Sequence, residues 1–197
     1  MKVLVVFAHP DETSLCGELF RTATGALRRA GHDVDVIDLY AEGFEARMSR
    51  AERIVYETDE PILDPMVRRH ADLVQAADAL VFVYPTWYWG LPAVLKGWLE
   101  RILVPGVGFV LDPDSRKVKG GLRHVRRIAG ISTYGSRHLE TVALTDGGRR
   151  VIMRCVRVLA RPFGCRSTWL ALYGLNRPDP RRIEEFIARV DRTLGAW

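Results

Sequence analysis

Three stretches of the chain gather residue types that can bind and orient a small molecule. The first, Ala8-His9-Pro10-Asp11-Glu12-Thr13-Ser14-Leu15-Cys16, follows an apolar run and sets a hydroxyl pair, Thr13 and Ser14, where a helix begins. Free N–H groups in a helix's first turn, backed by the positive end of its dipole, attract phosphate. His9 adds a donor beside them. The second stretch, Pro85-Thr86-Trp87-Tyr88-Trp89-Gly90-Leu91-Pro92, holds three consecutive large aromatics. A strand or helix cannot bury three adjacent rings on one face, so some of them wall a pocket or an interface. Flat rings on a tight Pro/Gly loop suit a planar heteroaromatic ligand, whose ring nitrogens the loop's backbone N–H groups can address. The third, Ile131-Ser132-Thr133-Tyr134-Gly135-Ser136-Arg137-His138, offers hydroxyls, another aromatic and a glycine that allows close backbone approach. Each stretch alone also has a plain reading, with Thr13 and Ser14 as helix caps and His9 facing water. Their combined meaning depends on a fold that brings them together.

The pattern around them supplies such a fold. Lys2–Phe7 reads as a strand, with V-L-V-V-F a continuous β-branched and aromatic run, and Ala79–Tyr84 is apolar throughout, as strands buried on both faces are. Val34–Asp38, Val125–Ser132 and Ser167–Leu172 read as three further strands. Between them fall helical segments: Ser14 to about Ala30, stopped by Gly31; Met66–Ala76; Pro92 to about Leu103, with Val94, Leu95, Trp98, Leu99 and Ile102 as one stripe; Gly148–Arg161; and Asp179–Leu194. Trp98 belongs to the core in this reading. Ala41–Glu60 is charged and poorly patterned, a helix within a surface excursion, and Gly106–Gly121 is a turn-rich connection with room for one hairpin. Alternating strands and helices predict a doubly wound parallel sheet of five strands in the order 2-1-3-4-5, with helices on both faces. No repeat, linker or low-complexity segment interrupts residues 1–197, which read as a single domain. Ligands of such sheets bind beyond the carboxyl ends of the strands, where the three stretches lie.

Composition excludes several classes. Apolar residues at 48% and charged residues at 27% are globular values, which disfavours disorder and coiled coil. The apolar runs fall far short of a membrane span, and the first is too short for a secretory signal. Three cysteines without C-x-x-C spacing indicate free thiols and a cytoplasmic setting rather than a disulfide framework or zinc ribbon. A net charge of +5 with no recognition motif argues against nucleic acid and favours an anionic small ligand. G-x-G-x-x-G and Walker loops are absent, so ordinary Rossmann and P-loop sites are disfavoured.

The segment P-T-W-Y-W-G-L-P-A-V-L-K-G-W-L-E-R, together with H-P-D-E-T-S-L-C and S-T-Y-G-S, resembles the flavodoxin-like NAD(P)H:quinone oxidoreductases, the group that includes DT-diaphorase and the bacterial drug-modulator and potassium-efflux ancillary reductases. The likeness runs from Val3 to about Arg177. Cys16 and Tyr134 depart from the family pattern, Tyr134 standing where glycine is usual. The resemblance implies a bound flavin, with FMN favoured because the chain lacks the long C-terminal extension of larger FAD-binding relatives, and FAD left open. It places His9, Thr13, Ser14, Leu15 and Cys16 on the phosphate, Pro85, Thr86, Trp87, Tyr88, Trp89 and Gly90 along the ring system, and Ser132, Thr133, Tyr134 and Gly135 at its pyrimidine edge. It also implies NAD(P)H as co-substrate, a quinone or other aromatic acceptor, ping-pong hydride transfer, and a homodimer with the slot near the subunit interface. Tyr134 and His138 are the local candidates for residues that assist transfer.

Other readings stand beside it. A flavodoxin-type electron carrier shares the fold but is usually smaller and acidic, and azo- or nitro-reduction would use the same hydride delivery. A-H-P-D-E also resembles the start of a zinc-dependent deacetylase motif, but one acidic residue is missing and no distant histidine stands in a ligand-like setting. The residues therefore predict no metal site.

Overall fold

The computed structural model describes residues 1–112, 117–144, 146–160 and 164–197. Strand β1 (Lys2–Phe7) leads to helix α1 (Leu15–Arg29), β2 (Asp33–Asp38), α2 (Arg50–Val55), α3 (Pro65–Ala76), β3 (Ala79–Pro85) and α4 (Ala93–Ile102). An antiparallel hairpin, β4 (Phe109–Leu111) with β5 (Val118–Gly120), follows inside the expected turn-rich connection. Then come β6 (Arg127–Thr133), α5 (His138–Ala143), α6 (Gly147–Arg150), a π-helical stretch (Val151–Val156), α7 (Arg157–Leu159), β7 (Arg166–Leu172) and α8 (Pro180–Gly195).

The main sheet has five strands in the order β2-β1-β3-β6-β7, each pair parallel. Counting only its own strands, this is the expected 2-1-3-4-5. Alternate side chains leave opposite faces of a strand, and the core divides accordingly. Leu4, Val6, Leu80, Phe82 and Ile128 pack on one face with residues of α3, α4 and the π-helical stretch. Val3, Val5, Phe7, Val81, Val83 and Ile131 pack on the other with α1 and α8. β3 is buried along its whole length, as a central strand must be. Each large apolar side chain so buried contributes roughly 1.5–3 kcal/mol.

Two segments differ from the sequence reading. Val125 and Arg126 precede β6 rather than opening it: the N–H of Val125 turns back onto Leu122 O and that of Arg126 donates to Asp78 O. The single helix expected over Gly148–Arg161 divides into α6, the π-helical stretch and α7, and residue 161 lies outside the described residues. Ile152 and Val156 stay in the core across that division, while Arg149, Arg150 and Arg154 are exposed.

The excursion after β2 is held by one buried cation. Arg101 of α4 donates through Nε and a terminal nitrogen to Glu52 Oε1 at 2.8 and 2.6 Å, to Asp64 Oδ2 at 2.9 Å and to the Glu45 carbonyl at 2.5 Å. Ser49 caps α2 in a capping box with Glu52. One turn earlier on α4, Gly97 lets the excursion approach, because a Cβ there would overlap the Ala46 carbonyl. Trp98 is fully buried, and its indole N–H donates to His70 Nδ1 at 3.2 Å.

Candidate functional site

The carboxyl ends of β1, β3, β6 and β7 lie side by side: Phe7 is in register with Val83, Pro85 with Thr133, and Thr133 with Leu172. The loops leaving that edge therefore share one rim. Thr86 N–H donates to Thr133 O at 2.8 Å, and the hydroxyls of Thr86 and Ser132 lie 2.9 Å apart, tying the second loop to the third. The His9 and Trp87 rings, 5.9 Å apart, join the first loop to the second.

In the first loop Ser14 is the N-cap of α1, accepting from Gly17 N–H at 3.2 Å and donating to Asp11 O at 2.7 Å. His9 Nδ1 lies 3.0 Å from the Asp11 backbone nitrogen and 2.9 Å from the Asp11 carbonyl oxygen, so the imidazole is held against the backbone of Asp11 in either tautomer. Thr13 is drawn inward instead: its N–H and hydroxyl both donate to Asp11 Oδ1, at 2.8 and 2.6 Å. Those bonds from Thr13 hold the Asp11 carboxyl below its ordinary value. Of the residues expected on a phosphate, Thr13 and Ser14 thus shape the loop. Among the described residues, the N–H groups of Leu15 and Cys16 at the start of α1 have no protein acceptor. The Cys16 thiol is buried against α8 and the sheet, and burial pushes its pKa up to about 12. Cys16 therefore acts as a small apolar side chain, not as a thiolate.

The aromatic loop is a two-residue reversal. Trp87 and Gly90 exchange backbone bonds at 3.3 and 3.0 Å, and Tyr88 and Trp89 between them sit at φ 48° and 55°. A pair of positive φ angles at bulky residues costs energy that the surroundings must supply. One support is visible: Trp89 O accepts from Gly147 N–H at 3.0 Å. The turn presents its rings outward, with Tyr88 94% exposed, Trp87 42% and Trp89 38%. The N–H groups of Tyr88 and Trp89 have no protein acceptor among the described residues.

In the third loop Tyr134 is buried. Its hydroxyl donates to Asp146 Oδ1 at 2.9 Å, its ring stacks on Tyr173 with centroids 4.4 Å apart, and burial raises its pKa. His138 opens α5 and packs edge-on against Tyr173 at 4.8 Å. Thr86, Tyr88, Trp89, Tyr134, Gly135 and Asn176 line a cleft of about 170 Å³.

Sequence reasoning missed two contributors. Asn176, in the loop after β7, reaches this cleft, and its N–H donates to Gly135 O at 3.1 Å. Its segment follows the last strand, so the position was inferable, but nothing in the residue types marked it. Asp146 sits at φ 41°, 6% exposed, and receives both the Tyr134 hydroxyl and the Arg149 N–H. That role exists only in three dimensions. Among the described residues no group of three His, Cys, Asp or Glu side chains stands together as a metal site. No described helix is long and apolar enough to cross a membrane.

Residues 1–194 match the family model described as a flavodoxin-like fold. The chain belongs to that family. This flavodoxin-like protein is 29% identical over 167 residues to the rat protein named NAD(P)H dehydrogenase [quinone] 1, covering 77% of this chain and 60% of the rat one. It is 31% identical over 169 residues to human ribosyldihydronicotinamide dehydrogenase [quinone], covering 77% and 71%. A solved structure of NAD(P)H:quinone oxidoreductase from Methanothermobacter marburgensis superposes with a TM-score of 0.81 at 27% identity, over 99% of this chain and 96% of that one. The flavodoxin-like chain thus spans about three-fifths of the rat relative and nearly all of the archaeal one.

Proposed function

We propose that this protein is a flavin-dependent oxidoreductase that carries two electrons from NAD(P)H to a quinone-type acceptor in a ping-pong cycle. The observation that carries the reading is the strained Trp87–Gly90 turn, which holds exposed aromatic rings and two free N–H groups over the edge where the phosphate-type donors of α1 also converge. This arrangement fits a flavin. Leu15 and Cys16 N–H, beside the His9 ring, form a donor set for its phosphate, the Trp87–Trp89 rings wall its flat face, and the backbone at Gly135 approaches its edge. A bound flavin supplies hydride acceptance and donation, while the protein supplies orientation and exclusion of water. FMN is the form we favour. The named quinone oxidoreductases among the relatives support the reaction class.

Purified protein is expected to be yellow and to give parallel double-reciprocal lines when NAD(P)H and a quinone are varied together. A colourless protein that takes up neither FMN nor FAD would overturn the assignment.

Gly135→Val is expected to weaken flavin binding at least five-fold, about 1 kcal/mol. A Cβ at this position lies 2.5 Å from Asn176 Oδ1, so the first group displaced is Asn176. Cofactor titration of Gly135→Val and of the double variant with Asn176→Gly separates two routes. Recovery in the double variant places the effect on Asn176, and unchanged affinity in the single variant removes the third loop from the flavin site.

We also propose a homodimer, since exposed aromatics of this kind mark contact surfaces. Light scattering should give twice the 22.3 kDa chain mass, and a fully active monomer would refute the dimer.

A further inference from the structure

A short segment after α5 holds the strained aromatic turn from one side. Tyr88 and Trp89 lie in the left-handed region, so the turn keeps its shape only where its surroundings hold it. Two glycines face it. A Cβ on Gly147 would lie 3.2 Å from Trp89 O, and one on Gly148 would lie 3.3 Å from the Gly90 carbonyl carbon. The Gly147-Gly148 backbone therefore packs directly on the Trp89–Gly90 peptide, and the Gly147 N–H donates to Trp89 O at 3.0 Å.

The residue before these glycines fixes their approach. Asp146 is itself left-handed, at φ 41° and ψ 66°, and is buried. Its N–H donates to Thr141 O at 3.2 Å, and its carbonyl accepts the Arg150 N–H at 3.1 Å. Its Oδ1 accepts the Tyr134 hydroxyl at 2.9 Å and the Arg149 N–H at 3.3 Å. Asp and Asn enter the left-handed region more readily than other side chains, and a hydroxyl bond to a carboxylate is stronger than one to a neutral acceptor. Tyr134 directly follows β6, and its own N–H donates to Leu172 O at 2.8 Å. A continuous set of bonds thus runs from the end of the sheet through the Tyr134 hydroxyl, the Asp146 carboxylate and the Gly147 N–H to the aromatic turn.

We propose that Asp146 is a positioning residue: bound by the Tyr134 hydroxyl, it sets the Gly147 N–H that clamps the aromatic turn in the shape that receives the flavin. The clamp follows from these contacts, and its use rests on the flavin reading above. Asp146 also lines a cavity of about 570 Å³ with Arg149, Arg150, Arg154 and Arg157, where its charge alone would act. The variants separate the two roles. Asp146→Asn keeps the acceptor and removes the charge, Asp146→Ala removes both, and Tyr134→Phe removes the donor without touching residue 146.

Amide hydrogen exchange is followed by NMR in the flavin-free proteins, and FMN and FAD are titrated into each. In Asp146→Ala and in Tyr134→Phe the Gly147 amide should exchange about ten-fold faster or more, and the flavin Kd should rise about ten-fold. The double variant should be no worse than the weaker single one, because both remove one bond. Asp146→Asn should stay within about two-fold of wild type in both measurements. Amides of Val81 and Val83 in the central strand should keep their wild-type exchange in every variant.

Unchanged Gly147 exchange in both Asp146→Ala and Tyr134→Phe would overturn the clamp. Loss in Asp146→Asn equal to that in Asp146→Ala would overturn it too, assigning the effect to charge beside the arginines. Faster exchange at Val81 and Val83 would reduce Asp146 to a general structural role. Fast Gly147 exchange with unchanged flavin affinity would sever the clamp from the site. A wild type that takes up neither FMN nor FAD sinks the flavin reading and the use of the clamp with it, whereas a wild type that binds flavin, with variants unaltered at Gly147, sinks the clamp alone.

Discussion

Arg101→Met is expected to lower stability by about 3–5 kcal/mol, because it strands a buried carboxylate without its partner. Arg101 and Glu52 have side chains 4% and 9% exposed, and the same guanidinium also binds Asp64 and the Glu45 carbonyl. Methionine keeps most of the stem's volume, so the cost comes from the charge left behind and not from a cavity. Urea unfolding of Arg101→Met and of Arg101→Met/Glu52→Met measures this. The double variant should recover most of the loss, and a single variant within 1 kcal/mol of wild type would show the network to be solvated.

The pH dependence has a defined sign. Burial raises the Glu52 pKa, but bonds from Ser49 and Arg101 outweigh it and hold the group below its ordinary 4.5. A carboxyl with a depressed folded-state pKa stabilises fully above its unfolded value, and that contribution is lost as pH falls through the folded one. The wild type should therefore lose more stability than Arg101→Met as pH drops below about 4.5.

Gly17→Ala should weaken flavin binding by more than ten-fold, about 1.4 kcal/mol or more, against the usual direction of a glycine-to-alanine change in a helix. Gly17 is buried in the first turn of α1, and a Cβ there would overlap the Glu12 carbonyl. Relief requires moving the backbone between Asp11 and Ser14, which sets the His9 and Ser14 bonds and the direction of the Leu15 and Cys16 N–H groups. Gly25 on the same helix is the internal control: its Cβ would meet only the side-chain end of Arg29, at 3.1 Å. Gly25→Ala should stabilise the fold by up to about 1 kcal/mol and leave the cofactor untouched. Equal flavin affinities in the two variants would detach the first loop from the phosphate.

The residues themselves determined the sheet and its rim. The unbroken apolar runs of Val3–Phe7 and Ala79–Tyr84 require two covered faces, and helices between parallel strands admit few topologies, so loops 8–14, 86–92 and 134–137 had to meet. Three adjacent aromatics could not all be buried, and the turn does expose them. The tertiary structure decided which polar groups remain free. Thr13 looks like a phosphate donor in sequence, yet its hydroxyl and N–H are taken by Asp11 two residues back. Tyr134 looks like a ring-facing aromatic, yet its hydroxyl is buried on Asp146, twelve residues on. Arg137, Arg177 and Arg182 are unremarkable in a basic chain until the ends of β6 and β7 and the start of α8 gather them around one cavity. Periodicity reports which face a residue takes, because burial repeats with the backbone. It carries nothing about which donor meets which acceptor, because that depends on distances set by contacts far apart along the chain.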